Sequence, residues 1–234
     1  MELTPAEALK RKAAERALDF VESGMVLGLG TGSTVAHFLD LLGMKLAAGA
    51  LVDIVGVPTS VRTGRESRQA GITIIGLADR DRIDLTIDGA DEVSPALDLV
   101  KGMGGALLRE KMVAQASDRV VIIADASKIV DRLGTLSPLP VEVVDWGQGG
   151  HIRFLEAQGA SVSMRMMEDG PPQKSDNGNL ILDCRFADGI PDPAALDQEL
   201  HNRAGVVETG LFLGMVHAVV VAGEDGIHVM ERST

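Results

Sequence analysis

The sequence predicts an α/β fold: a parallel sheet with helices on both faces, Rossmann-like in its alternation, plus a small ferredoxin-like α+β subdomain. Three observations carry this. Short apolar runs alternate with helix-like segments along the first 125 residues. These runs are apolar at successive rather than alternate positions, as strands covered on both faces require. Near Ser137-Pro138-Leu139-Pro140 the pattern changes to a β-α-β-β-α-β order, the order of a split βαβ unit.

The elements follow in order. Thr4-Pro5-Ala6-Glu7 opens a helix, with an N-cap, a proline at N1 and an acid at N3; it is expected to run to about Glu22 and stop at Gly24. Residues 25–29 form an apolar strand. The turn Gly28-Leu29-Gly30-Thr31-Gly32-Ser33-Thr34 leads into a helix from near Ser33. A strand at 51–57 is closed by Pro58, a helix at 62–70 is capped by Gly71, and strands follow at 72–77 and 83–87. The segment Lys101-Gly102-Met103-Gly104-Gly105 opens a helix containing Glu110, and 120–124 is a very apolar strand.

Beyond the change of pattern, strands are expected at 141–144, 161–166, 179–185 and 206–211, with helices at 150–158 and 193–200. Strands at 217–222 and 227–231 rejoin the main sheet. The expected division is therefore 1–137 with 212–234 as one domain and 138–211 as the other. Ligands of open α/β sheets bind outside the carboxyl ends of the strands. Both glycine turns, and the pair Asp88 and Asp91, follow strands directly and could converge on one rim.

Composition narrows the function. The 234 residues carry a formal net charge of -12, which opposes binding to the phosphate backbone of nucleic acid or to an anionic membrane surface. A small anion held by backbone N–H groups and one or two lysines remains compatible. With no tyrosine and one tryptophan, Trp146, there is little aromatic surface for stacking bases. The single cysteine, Cys184, forms no internal disulfide and fits a reducing compartment. It reads as a half-buried strand residue rather than a nucleophile. The N-terminal stretch lacks a basic-then-apolar leader, and no uncharged run reaches the ~18–20 residues that span a bilayer, so a cytoplasmic location is expected.

The first glycine turn fails two familiar patterns. A dinucleotide fingerprint needs glycine where Ser33 stands, and a Walker A loop needs lysine before Ser33. Free N–H groups and hydroxyls at a helix start suit one phosphate monoester; the alternative is that Ser33 merely caps the helix. Asp88 and Asp91 suit proton transfer, a simple Asp-Gly turn, surface solvation, or magnesium binding together with Glu92. The histidines at 37, 151, 201, 217 and 228 show no ligand spacing. Glu110 is either a base or a solvated member of the charged run 109–111. Lys101 is either solvated or an ammonium beside exposed N–H groups, the ingredients of an oxyanion site. Met103, Met112 and the methionines of 164–167 read as packing.

Taken together, these motifs resemble the ribose-5-phosphate isomerase A family over essentially the full length. They are Gly-Leu-Gly-Thr-Gly-Ser-Thr at 28–34, Asp-Gly-Ala-Asp-Glu at 88–92, Lys-Gly-x-Gly-Gly-Ala-Leu-x-Arg-Glu-Lys at 101–111, Ala-Asp-Ala-Ser-Lys at 124–128, Pro-Leu-Pro-Val-Glu-Val at 138–143 and Asp-Asn-Gly-Asn at 176–179. The resemblance implies reversible isomerisation of ribose 5-phosphate and ribulose 5-phosphate through an enediolate, in the non-oxidative pentose phosphate pathway, with no metal or organic cofactor. It implies Glu110 as the base, with Asp88, Asp91 and Lys101 at the reacting end. Thr31, Gly32, Ser33, Thr34, Lys10 and Lys128 would hold the substrate, chiefly its phosphate, with Gly102 and Gly104 in the second turn. Arg11 and Lys12 compete with Lys10 for that role. A homodimer or homotetramer is expected.

Two departures stand out: Met103 replaces a glycine common in the family, and 133–138 is one residue longer than usual. The rival readings are a hexosamine-phosphate enzyme, a non-catalytic sugar-phosphate sensor and a dinucleotide-dependent oxidoreductase. The sensor lacks room for a DNA-binding module, and Ser33 weakens the oxidoreductase.

Overall fold

The computed structural model describes residues 3–232. In chain order its main elements are α1 (Pro5–Ala17), β1 (Val26–Leu29), α2 (Ser33–Ala47), β2 (Val55–Pro58), α3 (Val61–Gln69), β3 (Thr73–Ile74) and β4 (Ile83–Gly89). Next come β5 (Glu92–Val93), β6 (Leu99–Val100), α4 (Leu107–Gln115), β7 (Ser117–Asp125), β8 (Leu139–Val143), α5 (Gly149–Ala157) and β9 (Ala160–Met164). The last are β10 (Leu180–Phe186), α6 (Pro193–His201), β11 (Val206–Thr209), β12 (Leu211–Phe212), β13 (Ala218–Gly223) and β14 (Gly226–Glu231).

Two compact units result. The first comprises Met1–Ala90, Arg109–Lys128 and Gly214–Thr234. Its sheet has the order β14-β13-β7-β4-β1-β2-β3, parallel throughout except for the β13–β14 hairpin. Leu27, Leu29, Leu85, Ile87, Val121 and Ile123 pack with Ala13, Ala17, Phe38 and Leu42 of α1 and α2. Val57 and Ile83 pack with Val113 of α4 in a separate cluster. The sheet is thus α/β, as expected.

Several boundaries shift for local reasons. Thr4 Oγ1 accepts from Glu7 N at 3.3 Å, the expected cap, but α1 ends at Ala17 and tightens into a 3-10 turn, Leu18–Phe20. The expected strand at 51–57 narrows to Val55–Pro58. Asp53 adopts a left-handed φ of 56°, which takes the preceding residues out of the ladder.

The second unit comprises Asp91–Leu108 and Ile129–Leu213. Its four-stranded sheet has the order β11-β8-β10-β9 with antiparallel neighbours. Counted within this sheet alone, that is fourth, first, third, second, the ferredoxin-like arrangement. Leu139, Val141, Val143, Leu180, Leu182 and Cys184 share a core with Leu155 of α5 and Leu196 and Leu200 of α6. Cys184 is fully buried, not half-buried. Burial, with the Asp183 charge second, pushes its thiol pKa far above the ordinary value.

A small three-stranded sheet, β12-β6-β5, is additional to the sequence expectations. The strand expected at 206–211 splits at Gly210 between two sheets. Gly210 N donates to Pro140 O at 2.7 Å and accepts at its carbonyl from Lys101 N at 2.9 Å; a Cβ there would lie 2.3 Å from Lys101 O. Residues 91–108 and 129–137 fall in the second unit rather than the first, so the boundary expected at 137/138 lies elsewhere. Strand pairing explains 91–108, because β6 pairs with both β5 and β12. The buried Glu92 carboxylate explains 134–137: it accepts from Gly134, Leu136 and Ser137 N–H groups at 2.5–2.6 Å.

Candidate active site

In the first unit the turn after β1 is built from hydroxyls. Gly32, with φ 146°, is the N-cap of α2 and offers no side-chain cap; Ser33 is the first helical residue. Ser33 is therefore not the cap that one reading of the sequence allowed. Beneath the turn, Thr31 Oγ1 hydrogen-bonds Thr59 Oγ1 (2.8 Å), Ser60 Oγ (2.9 Å) and Thr63 Oγ1 (3.0 Å). Thr63 Oγ1 donates to Gly30 O at 2.9 Å. Thr59, Ser60 and Thr63 come from the end of β2 and the start of α3. The sequence reading missed them, although Ser60 caps α3 by accepting from Thr63 N at 3.0 Å. A hydroxyl pair directly after Pro58 was the available signal.

The turn and Asp88 are built as one piece. Asp88, at the end of β4 and 2 % exposed, accepts at Oδ1 from Thr31 N (3.1 Å) and Gly89 N (2.7 Å). A Cβ on Gly30 would lie 2.0 Å from that oxygen, so only glycine fits. β1 and β4 are neighbours where the strand order reverses, the place where such sheets open a crevice for ligands.

Lys10, on α1, bonds Glu7 Oε1 at 2.7 Å, while Glu7 Oε2 bonds His37 Nε2 of α2 at 2.7 Å. Glu7 thus ties Lys10 to the helix that the turn opens. The bonds to Lys10 and then to His37 hold its carboxyl below the usual range. Arg11 is half-buried and Lys12 exposed. Lys128 is half-buried at the end of a 3-10 turn, Ala126–Lys128, that follows β7. Glu110 lies in the first turn of α4, where the helix dipole favours an anion, and is 3 % exposed. Lys111 is equally buried, so the charged run 109–111 is not a solvated face.

The second unit holds the other glycine turn. Lys101 is buried, with its ammonium 5.4 Å from the Phe212 ring centroid. Asp91 Oδ2 accepts from Met103 N at 3.0 Å. Met103 is 42 % exposed, so its side chain points out of the turn rather than narrowing it. Thus Thr31, Gly32, Ser33, Thr34, Lys10, Asp88, Glu110 and Lys128 belong to the first unit, and Asp91, Lys101, Gly102 and Gly104 to the second.

Among the described residues no three His, Cys, Asp or Glu side chains gather as a metal-ligand set. Glu92, a candidate magnesium ligand, instead binds the loop 134–137. The histidines have structural partners: His37 meets Glu7, His151 accepts from Arg203, His201 bonds Glu208, His217 accepts from Val120 N, and His228 bonds Asp225.

Comparison with known proteins gives the family. Residues 55–226 match the family described as ribose 5-phosphate isomerase A (phosphoriboisomerase A). The chain is 51% identical to ribose-5-phosphate isomerase A of Chloroflexus aurantiacus over 100% of its own length and 97% of that protein. It is 49% identical to the Desulfatibacillum aliphaticivorans protein of the same name, covering 99% and 100% of the two chains. A solved D-ribose-5-phosphate isomerase in complex with phospho-erythronic acid is 40% identical, with a TM-score of 0.95 over 98% of this chain and 100% of that one. The chain belongs to the ribose 5-phosphate isomerase A family.

Proposed function

We propose that this protein interconverts D-ribose 5-phosphate and D-ribulose 5-phosphate through an enediolate, with Glu110 as the base. The full-length likeness to a ribose-5-phosphate isomerase solved with phospho-erythronic acid carries the reading. A phosphorylated four-carbon acid presents a phosphate and, at its far end, a coplanar pair of oxygens, resembling the pair that an enediolate carries on two adjacent planar carbons.

The residues fit the steps. A proton alpha to a carbonyl is weakly acidic, so it needs a held base and stabilisation of the oxyanion formed. The Glu110 carboxylate takes the proton from C2 of the open aldose, and electron density moves onto O1. After a proton passes from O2 to O1, the same carboxylate returns its proton to C1, giving the ketose. Lys101 and the N–H groups of the 102–105 turn offset the negative charge as it develops. Asp88 shuttles a proton between ring oxygen and anomeric hydroxyl during ring opening, and Asp91 contacts the substrate hydroxyls. The Thr31-Gly32-Ser33-Thr34 turn, with Lys10 and Lys128, takes the phosphate and so supplies positioning energy remote from the reacting carbons.

The reading extends to a cofactor-free enzyme of the non-oxidative pentose phosphate pathway, cytoplasmic and a homodimer or homotetramer; support for these last points is the family alone. No helix among the described residues is long and apolar enough to cross a membrane. In this reading the unit with the parallel sheet carries the phosphate turn, Asp88 and Glu110, and the second unit carries Asp91, Lys101 and the 102–105 turn.

The test is direct: metal-stripped protein is given ribose 5-phosphate, and separately a hexosamine phosphate, and products are followed by NMR. Ribulose 5-phosphate from the first and no reaction of the second is the expected result. A folded protein that leaves ribose 5-phosphate untouched contradicts the proposal.

A further inference from the structure

We infer that Arg165, locked by Asp183, is a positioning residue that sets the N–H groups of the 102–105 turn. The inference rests on the reading of that turn as the oxyanion-stabilising part of the site. Arg165 follows β9, is 9 % exposed, and lies in the same compact unit as the turn.

Its guanidinium is committed on every side. Nε and Nη2 donate to Asp183 Oδ2 (2.9 Å) and Oδ1 (2.5 Å) of β10. Nη1 donates to two successive carbonyls, Gly102 O (2.8 Å) and Met103 O (3.0 Å). The remaining Nη2 hydrogen is directed at Met103 Sδ, 3.7 Å away. Five donors in a rigid fork meet five acceptors, an arrangement no lysine reproduces.

Peptide planarity gives this clamp its consequence. In a trans peptide the C=O and N–H point in opposite directions. Fixing the carbonyls of Gly102 and Met103 on the guanidinium therefore turns the N–H groups of Met103 and Gly104 away from it. The first of these is observed to meet Asp91 Oδ2 at 3.0 Å. Arg165 thus holds Asp91 through the Met103 N–H and turns the Gly104 N–H away from itself as the donor for the oxyanion, while Asp183 balances its charge. Pre-aimed donors that need no reorganisation are what a developing oxyanion requires. The device also gives the second unit a part in the chemistry: the sheet that buries a core against α5 and α6 carries, on β9–β10, the clamp for the turn.

The experiment compares kcat and KM for ribose 5-phosphate in Arg165→Ala, Arg165→Lys and the double variant Arg165→Met/Asp183→Leu, each normalised to folded protein. The double variant removes the pair without leaving a naked buried charge. All three are expected to lose about 10²-fold in kcat, the scale of a misplaced catalytic group, with KM nearly unchanged. Added guanidinium ion is expected to restore part of the turnover of Arg165→Ala and none of the double variant. Wild-type kcat in any folded variant, or a rise in KM alone, overturns the inference. Should Arg165→Ala and the double variant fail to fold, Arg165→Lys, which keeps the charge, decides by the same criterion. Glu110→Gln is run beside them: if it turns over normally, the reading of the site has failed rather than the role of Arg165.

Discussion

The two glycine turns look alike in sequence and are supported in opposite ways. The turn at 30–34 rests on neutral hydroxyls of Thr31, Thr59, Ser60 and Thr63, and on backbone N–H groups gathered by Asp88. The turn at 102–105 is pinned by a buried ion pair, Arg165 with Asp183, and by the Gly210 crossover. The first suits a phosphate, whose charge is present before, during and after reaction. The second suits an oxyanion, whose charge appears only on the way. Interactions that are equal in ground and transition states lower KM, whereas those made only in the transition state raise kcat. The contrast therefore predicts that damage to the first turn is read in KM and damage to the second in kcat.

Four substitutions or conditions press on that contrast, in falling order of effect. Lys101→Met keeps the volume beside Phe212 and removes the charge. It is expected to lower kcat about 10²–10³-fold with little change in KM, by steady-state kinetics; a rise in KM alone would erase the contrast. Gly30→Ala drives a methyl toward Asp88 Oδ1, 2.0 Å away, and so strikes the place where the turn and Asp88 meet. Urea unfolding should show a loss of about 1–3 kcal/mol, the usual cost of overpacking, and both kinetic constants should worsen. Ser33→Ala removes one hydroxyl from a phosphate site. Its KM should rise about 10-fold with kcat preserved, the loss of one hydrogen bond to a charged group.

The smallest effect is one of pH. Glu7, held below its ordinary value by Lys10 and then His37, contributes stability that is present above pH 4.5 and is lost as pH falls through its lower folded value. Thermal melts across that acid range should show wild type losing a small increment that Glu7→Gln never had. Because the group is exposed, equal slopes for the two proteins would remove Glu7 from the account of Lys10 placement without touching the turns.

What was legible in the sequence was what is local. Successive apolar residues betrayed strands buried on both faces, and Thr4-Pro5-Ala6-Glu7 marked its helix start to the residue. The two glycine turns and the carboxylates after strands stood out because turn chemistry is written within a few positions. Contacts that close over long chain separations were not legible. Glu92 reads like a third site carboxylate, yet its partners are N–H groups of residues 134–137. Arg165 sits among methionines that read as packing, and nothing near it in sequence points to Gly102. The strand break at Gly210 was missed because its cause is the backbone of Pro140 and Lys101, brought up by the fold. Thr59 and Ser60 lie between these cases. They follow a strand end in plain view, but their target, Thr31, becomes their neighbour only when β1 pairs with β2.

The most direct measurement is NMR of ribose 5-phosphate in D2O, with wild type beside Glu110→Gln and inorganic phosphate affinity measured on both. Wild type should form ribulose 5-phosphate with deuterium entering at C1 and C2. The variant should lose turnover and exchange by about 10²–10⁴-fold, the range for a general base, while phosphate affinity is retained. Near-normal exchange in a folded Glu110→Gln protein would contradict the assignment of Glu110 and, with it, the division between a turn that binds and a turn that serves the chemistry.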